Sequence, residues 1–489
     1  MPRSLDAARS RPHSRRRRLL RAALAGAVLL AGLALAAVAA LWPPELGVPA
    51  PGAVLHHVTV VNPGEAPLRG RSVVVRGDRI ERIVPTPPDA PTGPFAGAVV
   101  VPGLVDLHVH HPPPFALGER RLFALLFLAH GVTSVRDTGG AWPESLRGHA
   151  RAIREGRLAG PRVFSCGPFL DGDPPSWPGA RVVHDAAEAR VAVDELVAAG
   201  YDCAKIYNEL DAGAVDGILA AARDVGLPVV AHVPFRVPLV RLREVEVQHL
   251  MGLREDWHAV PDASLDAYVR TSVDRALRHT PTLVTFVRAT RILEAGHWAA
   301  DPIGRLLPRY HREVLWNPAR NPLAREQATD PERPETMKRA VARLHAAGVP
   351  VLAGTDTLNP FVVPGHALHE ELGHLVEAGL APAEAWAAAS WRAGEALAVP
   401  GLGRITEGAP ADLLLLDADP TRDLAALAGL RAVVAAGRLY ERAALDAARA
   451  RLLEHLEGTP YAPLSSGLAA LGVRWLSGGA TGTSSGGDG

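Results

Sequence analysis

Lysine is almost missing from this 489-residue chain: of 52 basic residues only Lys205 and Lys338 are lysine, and the rest are arginine. That bias reads most simply as genome composition, which makes the two exceptions worth locating. Cysteine is scarce too. Cys166 and Cys203 form no CxxC motif and no spaced framework, so neither a disulfide-built scaffold nor a cysteine-rich metal site is expected, and the pair says little about redox compartment. Net charge of one sign is also absent, with 52 acidic residues against 52 basic ones. The balance conceals an asymmetry. Residues 1–21 hold eight arginines and one acid, Asp6, leaving a body with 44 basic and 51 acidic residues. A basic run confined to one terminus argues against a nucleic-acid partner. A hydrophobic content of 48% is ample for a large core and excludes global disorder.

After Arg15–Arg18 and Arg21, residues 22–42 carry no charge and are closed by Pro43 and Pro44. Twenty-one uncharged residues suit a membrane-spanning helix, and the arginines before it predict a cytoplasmic N-terminus with an exported body. The sequence Ala37-Val38-Ala39 offers a cleavage site, so an uncleaved anchor and a cleaved export signal both stand. Residues 43–52 read as a Pro/Gly-rich linker. Short β-rich runs follow at 58–61, 72–75, 79–84 and 98–101, with Gly77-Asp78 as a hairpin turn. From 106 to 399 apolar strand-like runs alternate with Ala/Leu-rich helices, for example a helix over 186–199, a strand over 204–207 and a helix over 215–225. The expected fold is therefore α/β, a (β/α)8 TIM-type barrel over 106–399. β texture returns at 412–416 and 432–440, which predicts a small β-sandwich domain assembled from 53–105 and 400–445. Residues 446–489 read as a helix followed by a disordered Gly/Ser/Thr tail beginning near Gly458.

Chemistry gathers at strand ends. His108 and His110 close the run 99–105, and residues two apart on a strand face the same side, so both imidazoles can address one metal ion. Lys205 sits in Asp-Cys-Ala-Lys-Ile-Tyr and is read as a strand end, His232 closes Leu-Pro-Val-Val-Ala-His, and His249 closes Val-Glu-Val-Gln-His. Asp356 follows Val-Leu-Ala-Gly-Thr. In a barrel all strand C-termini meet on one face. Lysine can lose its proton when desolvated, and the neutral amine can then take up carbon dioxide to form a carbamate. Arginine cannot.

These motifs resemble the amidohydrolase superfamily, in its imidazolonepropionase-like and prolidase-like branch. The matching text is Val-Pro-Gly-Leu-Val-Asp-Leu-His-Val-His (101–110), His-Gly-Val-Thr-Ser-Val-Arg-Asp (130–137), Ala-Lys-Ile-Tyr (204–207) and Gly-Leu-Pro-Val-Val-Ala-His (226–232). It continues with Ala-Gly-Thr-Asp (353–356), Leu-His-Glu-Glu-Leu (368–372) and the stretch 403–417. The resemblance implies that His108, His110 and Asp356 hold one divalent ion and His232 and His249 a second, with carboxylated Lys205 bridging them. Zinc suits these ligands, and manganese, iron or cobalt are alternatives. Asp356 would serve as general base and then acid in cleaving a C–N bond of a small amide, lactam or dipeptide-like substrate.

One departure limits the transfer: where prolidase-like relatives carry Thr-Gly-Gly-His-Gly, this chain reads Phe-Leu-Asp-Gly-Asp-Pro-Pro-Ser-Trp-Pro (169–178). Tyr207 shares a strand face with Lys205 and is a candidate substrate contact. The loop 298–336, with Trp298, Tyr310 and Trp316, is expected over the barrel mouth or packed as an insertion, and His111 and His130 either as groups supporting the ligands from behind or, more simply, at exposed loop or helix positions. Two other functions remain open. One is a mononuclear deaminase or imidazolonepropionase-like hydrolase; the other is a non-catalytic, membrane-anchored binding relative. Homo-oligomerisation is compatible with either.

Overall fold

The computed structural model describes residues 24–33, 35, 44, 46–116, 118–253, 260–294 and 301–480. In chain order the strands are β1 (Ala53–Val60), β2 (Leu68–Arg76), β3 (Arg79–Pro85), β4 (Val99–Pro102), β5 (Leu104–Val109), β6 (Val132–Asp137), β7 (Arg162–Ser165) and β8 (Phe169–Asp171). There follow β9 (Arg181–Val182), β10 (Ala204–Ile206), β11 (Val229–Ala231), β12 (Glu246–Gln248), β13 (Arg278–Thr280), β14 (Leu413–Leu416), β15 (Leu430–Ala435) and β16 (Arg438–Glu441).

Seven strands make one sheet in the order β16-β15-β14-β4-β1-β2-β3. Both ends of the sequence meet in it, where β14 lies antiparallel to β4 and β4 parallel to β1. The sequence reading anticipated two packed sheets; the described strands from both flanks form this single one. Its Leu413–Leu416 strand explains how one sheet suffices. Leu414 and Leu416 enter the main core, while Leu413 and Leu415 enter a second cluster with Leu55, Val73 and Ile80. Alternating side chains on a strand reach opposite faces, so a run of four leucines is what two buried faces require.

The other nine strands pair in parallel. One sheet runs β5-β6-β7 and another β13-β12-β11-β10-β8-β9. Their strands are three to six residues long apart from the two-residue β9, and β5, β6, β8 and β10–β12 are buried throughout. Helices alternate with them, and the helix ends are written in the sequence. Asp185 accepts from the amides of Ala187 and Glu188 to start Ala186–Ala199, and left-handed Gly200 ends it. Asp211 and Gly226 do the same for Ala212–Val225. The segment after Val349 pairs on both sides: Leu352 N–H donates to His279 O (2.8 Å), and Leu107 N–H donates to Ala353 O (3.1 Å). At Gly354 a side chain would not fit, because a Cβ would stand 2.9 Å from the backbone nitrogen of His108.

Two local expectations changed. Cys166 and Cys203, 37 residues apart, form a buried disulfide between the end of β7 and the start of β10. The tail from Gly458 is not irregular, because Tyr461–Ala480 is a helix; residues 481–489 lie outside the described residues. Its Gly and Ser residues are interspersed with enough Leu, Ala and Trp to continue a helical pattern. Of the expected anchor at 22–42, residues 22–23, 34 and 36–42 lie outside the described residues, and 24–33 is helical. Among the described residues no helix is long and apolar enough to cross a membrane.

Candidate metal centre

Five neighbouring elements deliver the strand-end residues to one place. His108 lies in β5 and His110 one residue beyond it; Lys205 is the central residue of β10; His232 and His249 directly follow β11 and β12. Asp356 is brought alongside by its own amide, which donates to His108 O at 2.7 Å. His249 and Asp356 both have left-handed backbone, with φ of 57° and 59°. Non-glycine residues adopt that conformation at a cost, and such positions concentrate at functional sites.

All four imidazoles are anchored through the same nitrogen. His108 Nδ1 faces Gln248 Oε1 at 2.5 Å, His110 Nδ1 faces Gly139 O at 2.8 Å, His232 Nδ1 faces Asn208 Oδ1 at 3.0 Å, and His249 Nδ1 faces Thr282 Oγ1 at 2.7 Å. The acceptor roles are fixed in turn. Gln248 Nε2 donates to Glu246 Oε1 (2.9 Å), and Thr282 Oγ1 donates to Pro281 O (2.8 Å), so each oxygen is left to accept from a ring N–H. Nδ1 therefore carries the proton, and Nε2 is the free lone pair.

Those Nε2 atoms converge on a carboxylate. His108 and His110 Nε2 each stand 3.4 Å from Asp356 Oδ1, and His249 Nε2 stands 3.9 Å from Oδ2. Donor atoms of His108, His110 and Asp356 all lie within 4.8 Å of one another, a group that could hold a metal ion. The His249 ring centre lies 4.7 Å from that of His108, tilted against it, and 4.9 Å from that of His232, edge to face. Deprotonated Nε2 atoms facing a carboxylate repel it unless a cation lies between them; a proton on His110 relieves that repulsion where no metal is bound, and a divalent ion fits the same donor set.

Burial reinforces the neutral, ligand-competent imidazole. It lowers the pKa of His249 to about 4 and that of His232 well below the ordinary histidine value, with the Lys205 charge adding to the effect on His232. Burial also opposes a proton on His110, but the hydrogen bond and charge of Asp356 outweigh it and raise that pKa. Lys205 is fully buried, its Nζ has no hydrogen-bond partner, and burial brings its pKa down to about 7. An amine of that kind is neutral for much of the time near pH 7, which suits it to carbamate formation.

The cluster thus contains all six predicted ligand residues, and Tyr207 stands beside them. Its ring stacks on His232 at 4.4 Å and lies 6.0 Å from Lys205 Nζ. His111 and His130 correct an expectation, since neither is an exposed position. His111 is buried against Asp137 at 2.9 Å, and His130 bonds Leu126 O inside a helix contact. Of the loop 298–336, Trp298 is outside the described residues, while Tyr310 and Trp316 are 5% and 2% exposed and pack inward. Tyr310 OH and His311 both bond the buried carboxylate of Glu119, so packing accounts for this part of the insertion.

Sequence reasoning missed Gln248, Asn208 and Thr282, which orient the ring nitrogens. It missed Asp106 as well, whose carboxylate takes the amides of His108 and Thr355 and the Thr355 hydroxyl. One signal was present: polar Glu246 and Gln248 alternate within Val-Glu-Val-Gln-His, and both point inward.

The sequence model of the amidohydrolase family matches residues 99–439. No curated protein matches the chain. Among solved structures, a bottromycin amidohydrolase is similar at 26% identity and a TM-score of 0.64, over 83% of this chain and 90% of that one. A Xaa-Pro dipeptidase with methionine bound in its active site aligns at 22% identity and a TM-score of 0.58, over 80% of this chain and 100% of its own. The ochratoxinase of A. niger aligns at 19% identity and 0.56, over 80% and 96%. With a match spanning most of the sequence, the chain belongs to the amidohydrolase family, metal-dependent hydrolases of carbon–nitrogen bonds.

Proposed function

We propose that this protein hydrolyses an amide, lactam or dipeptide-like C–N bond of a small substrate at a two-ion centre bridged by carboxylated Lys205. The observation that carries the reading is the buried, partnerless Lys205 amine beside four imidazoles that are all anchored at Nδ1. Addition of carbon dioxide to that amine, with loss of one proton, gives a carbamate with two oxygens. One oxygen would face the His108–His110–Asp356 group and the other His232 and His249. Bound divalent ions would lower the pKa of water and polarise the scissile carbonyl. Asp356 would take a proton from the attacking water and return it to the departing nitrogen, so that amide plus water gives carboxylate plus amine. Asp356 is ionised and so able to accept a proton, because the His110 hydrogen bond and neighbouring charges outweigh burial and hold its carboxyl below the ordinary value.

The scaffold of this proposal is a closed (β/α)8 barrel, with 350–357 as the eighth strand between β13 and β5. Its hydrogen bonds to His279 on one side and to Leu107 on the other support that closure. We propose further that the body works outside the cytoplasm, tethered by 22–42 or released after cleavage there. The arginine run, the mostly exposed Leu24, Val28, Leu29, Leu30 and Leu33, and the buried disulfide support an exported protein. The test is metal content. Two ions per chain in the wild type, and fewer in Lys205→Ala with loss of hydrolysis, are expected. The tight His108–His110–Asp356 grouping favours a second reading, a single-ion hydrolase. One ion per chain, unchanged in Lys205→Ala, would establish that alternative.

A further inference from the structure

Aromatic residues make up only 5% of this chain, yet three of them gather beside the candidate metal centre. Phe169 and Tyr207 stack at 4.4 Å, Tyr207 stacks in turn on His232 at 4.4 Å, and Phe169 lies 6.2 Å from the His110 ring. Trp177 extends this wall outward. Its indole N–H donates to Tyr207 Oη at 2.9 Å, while 41% of the residue remains exposed.

The wall is held rigidly. Asp171, at the end of β8, is fully buried and takes the amides of Gly172 (2.9 Å), Ser176 (2.7 Å) and Glu209 (2.7 Å). One carboxylate thereby pins the loop that carries Trp177 to the loop that follows Tyr207. Gly139 and Gly179 let neighbouring backbone come close: a Cβ on the first would stand 2.8 Å from the Phe169 ring, and on the second 3.3 Å from Ala141 Cα. Aromatic faces fixed before binding lose little entropy when a flat ligand stacks on them. An arrangement serving only the protein's own packing would have no need to leave Trp177 so exposed.

We propose that the exposed Trp177 ring, braced on the buried Phe169–Tyr207 stack, is a substrate subsite for an aromatic ring, carried on one of the groups flanking the scissile C–N bond. This rests on the hydrolase reading above, but the recognition can be tested without turnover. Calorimetry on the metal-loaded, full-length protein would compare phenylacetate with acetate, which share the carboxylate and differ by the ring. Phenylacetate is expected to bind about tenfold or more tightly, and Trp177→Ala to remove most of that preference. Trp177→Phe, which keeps a ring, should retain the larger part. In parallel, kcat/KM for N-acetylphenylalanine and N-phenylacetylalanine, each relative to N-acetylalanine, should show a phenyl preference in at least one series, which falls in Trp177→Ala.

If no amide is turned over while the ring preference in binding and its loss in Trp177→Ala persist, the subsite stands and the reaction assignment falls. Equal binding of the two acids overturns the subsite, even in an active enzyme. So does a phenyl preference that Trp177→Ala leaves intact.

Discussion

Arg136 and Lys205 are both cations buried inside the parallel-strand layer, 1% and 0% exposed, and they meet opposite circumstances. Arg136 forms a bidentate pair with Glu246, and its Nε donates to Leu107 O at 2.9 Å. Lys205 has no such partner, and burial takes its pKa down to about 7. A buried charge persists when it is paired and fully hydrogen-bonded, and otherwise sheds its proton. The first arrangement builds structure: Glu246 bonds Gln248, and Gln248 fixes the His108 ring. The second leaves a reactive amine. Lys338 supplies the surface reference, with Glu335 at 3.0 Å and Glu377 at 2.7 Å on an outer helix.

Substitutions can break this contrast at several points. The largest effect is expected from Lys205→Arg, which restores a permanent charge and prevents carbamate formation. Bound metal should fall, and activity should drop by roughly a thousandfold or more, as measured by metal analysis and turnover together. Arg136→Met leaves Glu246 buried without its counter-charge and should cost about 3–5 kcal/mol in chemical denaturation. Adding Glu246→Leu to that variant should recover part of the loss. Gln248→Leu severs the link between the ion pair and His108 and should weaken metal binding about 10- to 100-fold in a chelator competition.

Protonation gives a graded version of the same test. The folded pKa of Lys205, about 7, lies below its ordinary value of 10.5. Below about 7 the amine is protonated, and carbamate formation then releases two protons, one from the ammonium and one on addition of carbon dioxide, so metal uptake by metal-free protein at fixed dissolved carbon dioxide should fall by up to about a hundredfold per pH unit. Between the two values the unfolded chain holds a proton that the folded one has lost. The metal-free protein should therefore gain stability as pH rises through that window, and Lys205→Met should flatten the trend. The smallest effect belongs to Lys338→Arg, which should change stability by no more than about 0.5 kcal/mol in a thermal melt.

Much of the candidate centre was legible because most of its residues lie at or just beyond the ends of apolar strands, with Lys205 inside one, and such runs can be located from local pattern alone. The Asp-cap and Gly-stop signals of Ala186–Ala199 and Ala212–Val225 were equally local. What escaped was nonlocal. Gln248 meets His108 across 140 residues, and Glu246 meets Arg136 across 110. Nothing in the spacing of Cys166 and Cys203 reveals that β7 and the start of β10 bring them together. The aromatic wall was hidden for the same reason, since Trp177 and Tyr207 read separately as a loop residue and a strand residue. In the seven-stranded sheet the strands were legible, but local alternation does not say whether flanking strands form one layer or two.

That sheet also constrains how the molecule is made. The amide of Ile405 donates to Asn62 Oδ1 across 343 residues, and β4 is flanked by β1 on one side and β14 on the other. During synthesis the first four strands emerge long before β14 exists, so the edge of β4 stays open while the whole parallel-strand region forms. Contacts of such long range are slow to form, and an unpaired edge invites association with other chains. The last strands act as a latch: a chain that stops short of them leaves β4 exposed, so loss of the C-terminal strands should appear first as aggregation rather than as a damaged catalytic centre.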